Sequence, residues 1–175
     1  LPTTSKIALK EGGLDVIEES RLPSFLLDNS LLITGEVDRI TGYEKGLAGQ
    51  EVFNEGSWHP DPLTLDDQAL IANIRGKGLI IVTGCGHSGV VNICNYAKKL
   101  TAENKIHAII GGFHLPDGLD TATIQNTISD LKALDPDWLV PAHCTGQKAI
   151  LSLVKELPNS IIQNSVGSQY IFTSS

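Results

Sequence analysis

Three short apolar runs in this chain each lead into a glycine- or proline-marked turn that closes on a histidine. Val82 leads to Gly84-Cys85-Gly86-His87, Ile110 to Gly111-Gly112-Phe113-His114, and Val140 to Pro141-Ala142-His143-Cys144. Between and after these runs, apolar residues recur at helical spacing. One stripe is Val90, Ile93, Cys94, Ala97 and Leu100, the next Ile124, Ile128, Leu131 and Leu134, and the last Ile150, Leu153, Val154 and Leu157. Side chains three and four apart share one helix face, whereas short β-branched runs suit a strand. The alternation therefore predicts an α/β fold with a mixed sheet, some of its strands parallel, and helices packed on it.

Ahead of this region, Ala69 to Asn73 and Leu79 to Val82 flank Arg75-Gly76-Lys77-Gly78, which predicts a β-hairpin. Leu31 to Thr34 is a brief apolar run closed by Gly35, and residues 39–62 form a glycine- and proline-bearing stretch without a period, read as a long loop of the kind that carries function. Residues 1–30 read as irregular with one short strand, and Ile161-Ile162 and Tyr170-Ile171-Phe172 as two closing strands. Two regions follow: an irregular segment with a long loop over 1–67, and a βαβαβ-rich unit over 68–175. No internal repeat is present.

Ligand sites of α/β sheets gather at the carboxyl ends of strands, so the three turns bring three imidazoles and two thiols toward one rim. Imidazole nitrogen and thiolate sulfur are the donors zinc prefers, which makes the rim a candidate metal site. Each histidine alone could equally cap a helix or bond a carbonyl; three at equivalent positions favour metal ligation by at least two. His107 lies inside a strand and reads as structural. His59, in the long loop, is a surface residue or a substrate contact. Cys94 sits on an apolar helical stripe and reads as core. Cys144 is a ligand or a packed neighbour, the neighbour being favoured. Cys85 precedes a helix start, where the helix dipole favours a thiolate, so ligand and neighbour stand level.

Gly84, Gly86 and Gly89 also satisfy the spacing of a dinucleotide-binding turn between strand and helix. The carboxylate that such a site needs at the end of the next strand is replaced by Gly111-Gly112-Phe113-His114, so nucleotide binding is the lesser alternative. The backbone amides that open the helix, with Ser88, could still hold a substrate phosphate.

Composition excludes several classes. A formal charge of −7 without acidic blocks lacks the basic face that nucleic acid or an anionic membrane requires, leaving a small molecule as the expected substrate. No apolar run approaches the about 20 residues of a membrane span, and the first residues do not form a signal peptide. Three cysteines in or beside strand–helix segments argue against a disulfide framework and for a reducing cytoplasm. The chain opens at Leu1 and has no methionine, which reads as a processed, trimmed or partial product.

Six ordered segments resemble the metallo-β-lactamase-fold superfamily, in the branch that contains the archaeal dihydropterin-linked ribofuranosylaminobenzene phosphate synthase. They are Ile33-Thr34-Gly35-Glu36-Val37, Asp66-Asp67-Gln68-Ala69-Leu70, the glycine-rich run Gly84 to Asn92, Gly111-Gly112-Phe113-His114-Leu115, Pro141 to Gly146, and Ser165-Val166-Gly167. The resemblance implies an αββα sandwich, here mainly its second half, with the helices on one face of a mixed sheet. It further implies one or two metal ions, zinc or another divalent cation, at the edge between two halves. His143 matches the superfamily's final histidine ligand, and His87 with Cys85 its strand-end ligand region, although the bridging aspartate is absent there. His114 matches a motif that binds metal, supports a ligand or contacts substrate.

The chemistry implied is hydrolysis by metal-activated water on a small substrate, phosphorylated ones included, with His114 or Asp67 moving protons or orienting substrate. The superfamily's amino-terminal His-x-His-x-Asp-His cluster does not occur in residues 1–84. The expectation is thus a carboxyl-terminal half that is metal-poor and inactive alone. It would pair with a missing amino-terminal half or form a homodimer as a non-catalytic half-domain.

Overall fold

The computed structural model describes residues 5–15 and 21–174. In chain order the elements are α1 (Ser5–Glu11), β1 (Ser24–Leu26), β2 (Leu31–Ile33), β3 (Glu51–Asn54), β4 (Ser57–Pro60), β5 (Ala69–Ile74) and β6 (Gly78–Thr83). There follow α2 (Val90–Thr101), β7 (Ile106–Gly111), α3 (Thr121–Leu134), β8 (Trp138–Pro141) and α4 (Gln147–Glu156). Six strands form one sheet in the order β1-β2-β5-β6-β7-β8, antiparallel up to β6 and parallel from β6 to β8. The predicted hairpin is β5 and β6, paired from Ala69↔Thr83 to Ile74↔Gly78.

The order β6, β7, β8 advances across the sheet in one direction. Right-handed crossovers then place α2 and α3 on the same face, and the core agrees. Ile71, Ile81, Ile109 and Leu139 stand opposite one another on four strands and pack in one cluster with Val90, Ile93 and Cys94 of α2, Ile128 and Leu131 of α3, and Leu153 of α4. One residue along each strand, side chains point to the other face. There Leu70, Val82, Ile110 and Val140 form a second row, with Leu70 38% and Val82 39% exposed.

Expectation and structure part company at the ends of the chain and in the loop. The stretch read as irregular holds the short helix α1 besides the expected short strand, β1; residues 1–4 and 16–20 of that stretch lie outside the described residues. Within the long loop, residues 51–60 form the separate hairpin β3–β4, whose residues are all exposed. The two closing strands do not form. Ile161 makes a single bridge to Leu139, while Phe172 packs against Trp138 and His107 without joining the sheet. No helix among the described residues is long and apolar enough to cross a membrane.

Candidate metal centre

The rim where β6, β7 and β8 end is drawn together by hydrogen bonds between their loops. Gly112 N–H donates to Gly84 O at 3.1 Å, Ala142 N–H to Gly111 O at 2.8 Å, and the Thr83 hydroxyl to Gly112 O at 2.8 Å. Glycine is required where these loops touch. A Cβ on Gly112 would stand 2.5 Å from Cys144 Sγ and 2.8 Å from Cys85 Cα, and one on Gly86 would stand 2.6 Å from Gly112 O.

This packing assembles two triads of donor atoms that share one thiol. Cys85, His87 and His114 offer ligand atoms all within 4.8 Å of one another, and so do Cys85, His143 and Cys144. Cys85 Sγ lies 3.4 Å from His114 Nδ1, and the His87 and His114 rings meet edge to face with centroids 4.3 Å apart. Each sequence-predicted ligand, His87, His143 and Cys85, is thus at the rim. The two histidines belong to different triads, which share Cys85.

His114 carries two signs of a constrained position. Its backbone is left-handed, with φ of 47°, a conformation that costs a non-glycine residue about 1–2 kcal/mol. Its Nε2 is buried with no hydrogen-bond partner. Burial pushes the imidazole pKa below its ordinary value, the nearby His87 pushes it the same way, Asp67 opposes, and His143 adds a last small push down. Burial likewise lifts the Cys85 thiol to about 12, with the hydrogen bond to Cys144 adding to it. Metal-free, the rim therefore holds a protonated Cys85 and an imidazole nitrogen without a partner. A cation would relieve both, because an unsatisfied buried polar atom is costly and a bound cation favours the thiolate. The donor chemistry fits a zinc-class ion.

Cys144, favoured in the sequence as a packed neighbour, is both neighbour and candidate donor. Its Sγ accepts from His114 N–H at 3.2 Å and donates to Cys85 O at 3.1 Å. Asp67 is close by, but its Oδ2 accepts from Ser88 N–H at 2.9 Å and from the Ser88 hydroxyl at 2.7 Å, which ties it to the loop before α2. His107 is structural, its Nδ1 2.6 Å from Asp137 Oδ2, and Cys94 is fully buried in the core. His59 is on the surface of β4, its Nε2 2.8 Å from Ser57 Oγ.

The start of α2 corrects the phosphate reading. Val91 N–H and Asn92 N–H donate to the Glu44 carboxylate at 3.0 and 2.9 Å, and Ser88 N–H is taken by Asp67. The amides that a nucleotide or phosphate would need are occupied by the protein's own carboxylates, which an anionic ligand would have to displace. Sequence reasoning missed Glu44, since nothing local in Tyr43-Glu44-Lys45 marks a contact with residues more than forty positions away.

Glu44 belongs to a loop that walls the site. Arg39 Nη1 donates to His87 O at 3.1 Å, the Ile40 and Thr41 amides donate to Asn92 Oδ1 at 2.8 and 2.9 Å, and the Tyr43 hydroxyl donates to Asp130 Oδ2 of α3 at 2.5 Å. Between this loop, the rim and α3 lies a small cleft, partly open to solvent, lined by Tyr43, Leu47, His87, Phe113, His114 and Leu119 among others.

The crystal structure of Tm1679, a metal-dependent hydrolase of the beta-lactamase superfamily, superposes on 91% of this chain and 59% of its own, with a TM-score of 0.76 and 22% identity. This chain has the metallo-β-lactamase fold. Two curated relatives from Methanocaldococcus jannaschii share its sequence. The uncharacterized protein MJ0448 is 35% identical over 145 residues, which is 83% of this chain and 50% of that protein. The 7,8-dihydropterin-6-methyl-4-(beta-D-ribofuranosyl)-aminobenzene-5'-phosphate synthase is 44% identical over 85 residues, 49% of this chain and 29% of the synthase. The chain thus spans half the length of the first and less of the second. No family model matches it. In this metallo-β-lactamase fold the donor-rich rim lies at the carboxyl ends of the parallel strands, the edge at which α/β sheets place their ligands.

Proposed function

We propose that this protein is a metal-dependent hydrolase in which Cys85, His87 and His143 hold one or two divalent cations, zinc in the first place. The observation that carries the reading is the convergence of two donor triads on Cys85, with an orphaned imidazole nitrogen on His114 beside them. When bound, such a cation supplies a water of lowered pKa and polarises the carbonyl or phosphoryl centre under attack.

The chain's own residues do the rest. His114 lines the cleft beside the donors, and its partnerless ring nitrogen is available to the cation. Asp67 positions rather than reacts, because its bonds to Ser88 fix the loop that carries Cys85 and His87. The cleft's Tyr43, Leu47 and Leu119 offer an apolar wall for part of a small substrate beside His87 and His114.

Metal analysis of the purified protein, with hydrolysis assays on small esters, lactones and phosphomonoesters, tests the reading. The expected result is zinc-dependent turnover, with bound zinc and turnover both lost in His87→Ala and His143→Ala. Stoichiometric zinc retained by both variants defeats it.

The sheet row Leu70, Val82, Ile110 and Val140 favours a second reading. Two of these apolar side chains are more than a third exposed in the middle of the sheet, as expected of a non-catalytic half-domain that pairs with a second copy through this face.

A further inference from the structure

We infer that Cys144 is a metal ligand, and that Cys85, His143 and Cys144 form a thiolate-rich seat that selects a soft, zinc-class cation over magnesium or calcium. The inference rests on the metal-dependent reading above and adds to it a donor and a metal class. Three observations carry it.

The three ligand atoms lie within 4.8 Å of one another, against the roughly 3.3–3.8 Å that nitrogen and sulfur donors keep around a tetrahedral ion. A bound ion has about an ångström to draw in. The seat is also reachable, since His143 is exposed and both thiols are half-buried, while Cys94, the third cysteine, is sealed in the core. Finally, the Cys144 thiol is held in place beside Cys85, its Sγ accepting from His114 N–H at 3.2 Å and donating to Cys85 O at 3.1 Å. On binding, both thiols release their protons to solvent, two sulfur–metal bonds form, and the imidazole of His143 adds the third. Three protein donors leave one position open, the pattern of a catalytic rather than a structural zinc site. Two thiolates discriminate against hard cations, which prefer oxygen.

The competing role for Cys144 is that of a clip between the loops after β6 and β7. Cys144→Ser separates the two, because a hydroxyl still donates to Cys85 O and accepts from His114 N–H but is a poor ligand for a soft ion. The metal-stripped protein is titrated with cobalt(II) as a spectroscopic stand-in for zinc, and the near-ultraviolet thiolate-to-cobalt absorption is followed. The wild type is expected to show a two-sulfur band that magnesium neither produces nor displaces. In Cys144→Ser, half of the band should vanish and affinity should fall beyond the about 10–100-fold that loss of a supporting hydrogen bond costs. Without any variant, zinc should shield Cys85 and Cys144 from alkylation, with Cys94 unlabelled in either state.

A full band and near wild-type affinity in Cys144→Ser, or zinc that leaves Cys144 as reactive as before, overturns the inference and leaves the His87 and His143 reading standing. A two-sulfur cobalt centre in a protein without hydrolytic turnover supports the seat and sinks the hydrolase. A wild type that binds neither cobalt nor zinc defeats both.

Discussion

Gly112 shows how closely the rim depends on single atoms. A methyl group there would meet Cys144 Sγ and the Cys85 backbone at once, and backbone cannot swing aside as a side chain can. Gly112→Ala should therefore destabilise the protein by the about 1–3 kcal/mol typical of overpacking, read from urea unfolding. Buried Glu44 makes a different prediction. Burial lifts its pKa above the ordinary value of 4.5, outweighing the hydrogen bonds from Val91, Asn92 and Thr41 that lower it. A carboxyl whose folded pKa is raised binds its proton more tightly in the folded state. Its stabilisation is thus present in acid and is lost as pH rises from 4.5 through the folded value. The wild type should lose stability across that window relative to Glu44→Gln, which has no proton to release; parallel pH profiles would contradict the burial argument. At this scale Cys85, His87, His114 and His143 were legible because strand ends mark them. Glu44 and the Asp67–Ser88 pair were not, since their partners are distant in sequence; Cys144 read as a packed neighbour, but which atoms it would contact was not legible, because they come from two other loops.

Elements with a strong period were legible as well. Strands β5 to β8 and helices α2 to α4 each bury one apolar stripe, and burial is what makes a pattern reliable. The missed hairpin β3–β4 has no buried stripe to read: all its residues are exposed, and its main internal contact is the edge-on pair of Phe53 and Trp58, with centroids 5.3 Å apart. The two false strands erred in the other direction. Ile161 and Phe172 are apolar enough for a sheet, yet Ile161 pairs with β8 through one isolated bridge and Phe172 only packs its ring on Trp138. A hairpin without buried contacts adds little to global stability. Phe53→Ala should change the overall unfolding free energy by no more than about 0.5 kcal/mol, while altering the fluorescence of Trp58. Amide exchange in β3 and β4 should be faster than in β6 and β7, because local opening there breaks few contacts. A loss of several kcal/mol would mean that the hairpin is part of the core.

Across the whole molecule, the alternation of strands and helices gave the fold class, since parallel strands need crossovers and the crossovers here all cover one face. Strand β6 is apolar from Leu79 to Val82 without a polar partner row, so the second face of the sheet is apolar as well. On that face the row from Leu70 to Val140 crosses four strands in register, and its first two members are exposed while Val140 is buried. An apolar row in mid-sheet gains from cover, at about 25 cal/mol for each Å² removed from water. On the half-domain reading, a second copy would supply that cover by a two-fold contact of the row with itself. Sedimentation of the purified chain should accordingly reveal a concentration-dependent dimer. Val82→Lys, which sets a charge at the centre of the row on a side chain already partly in water, should shift the equilibrium to monomer without changing the circular dichroism. A wild type that stays monomeric at every concentration removes the second copy as the cover. A dimer indifferent to Val82→Lys places its interface elsewhere on the molecule.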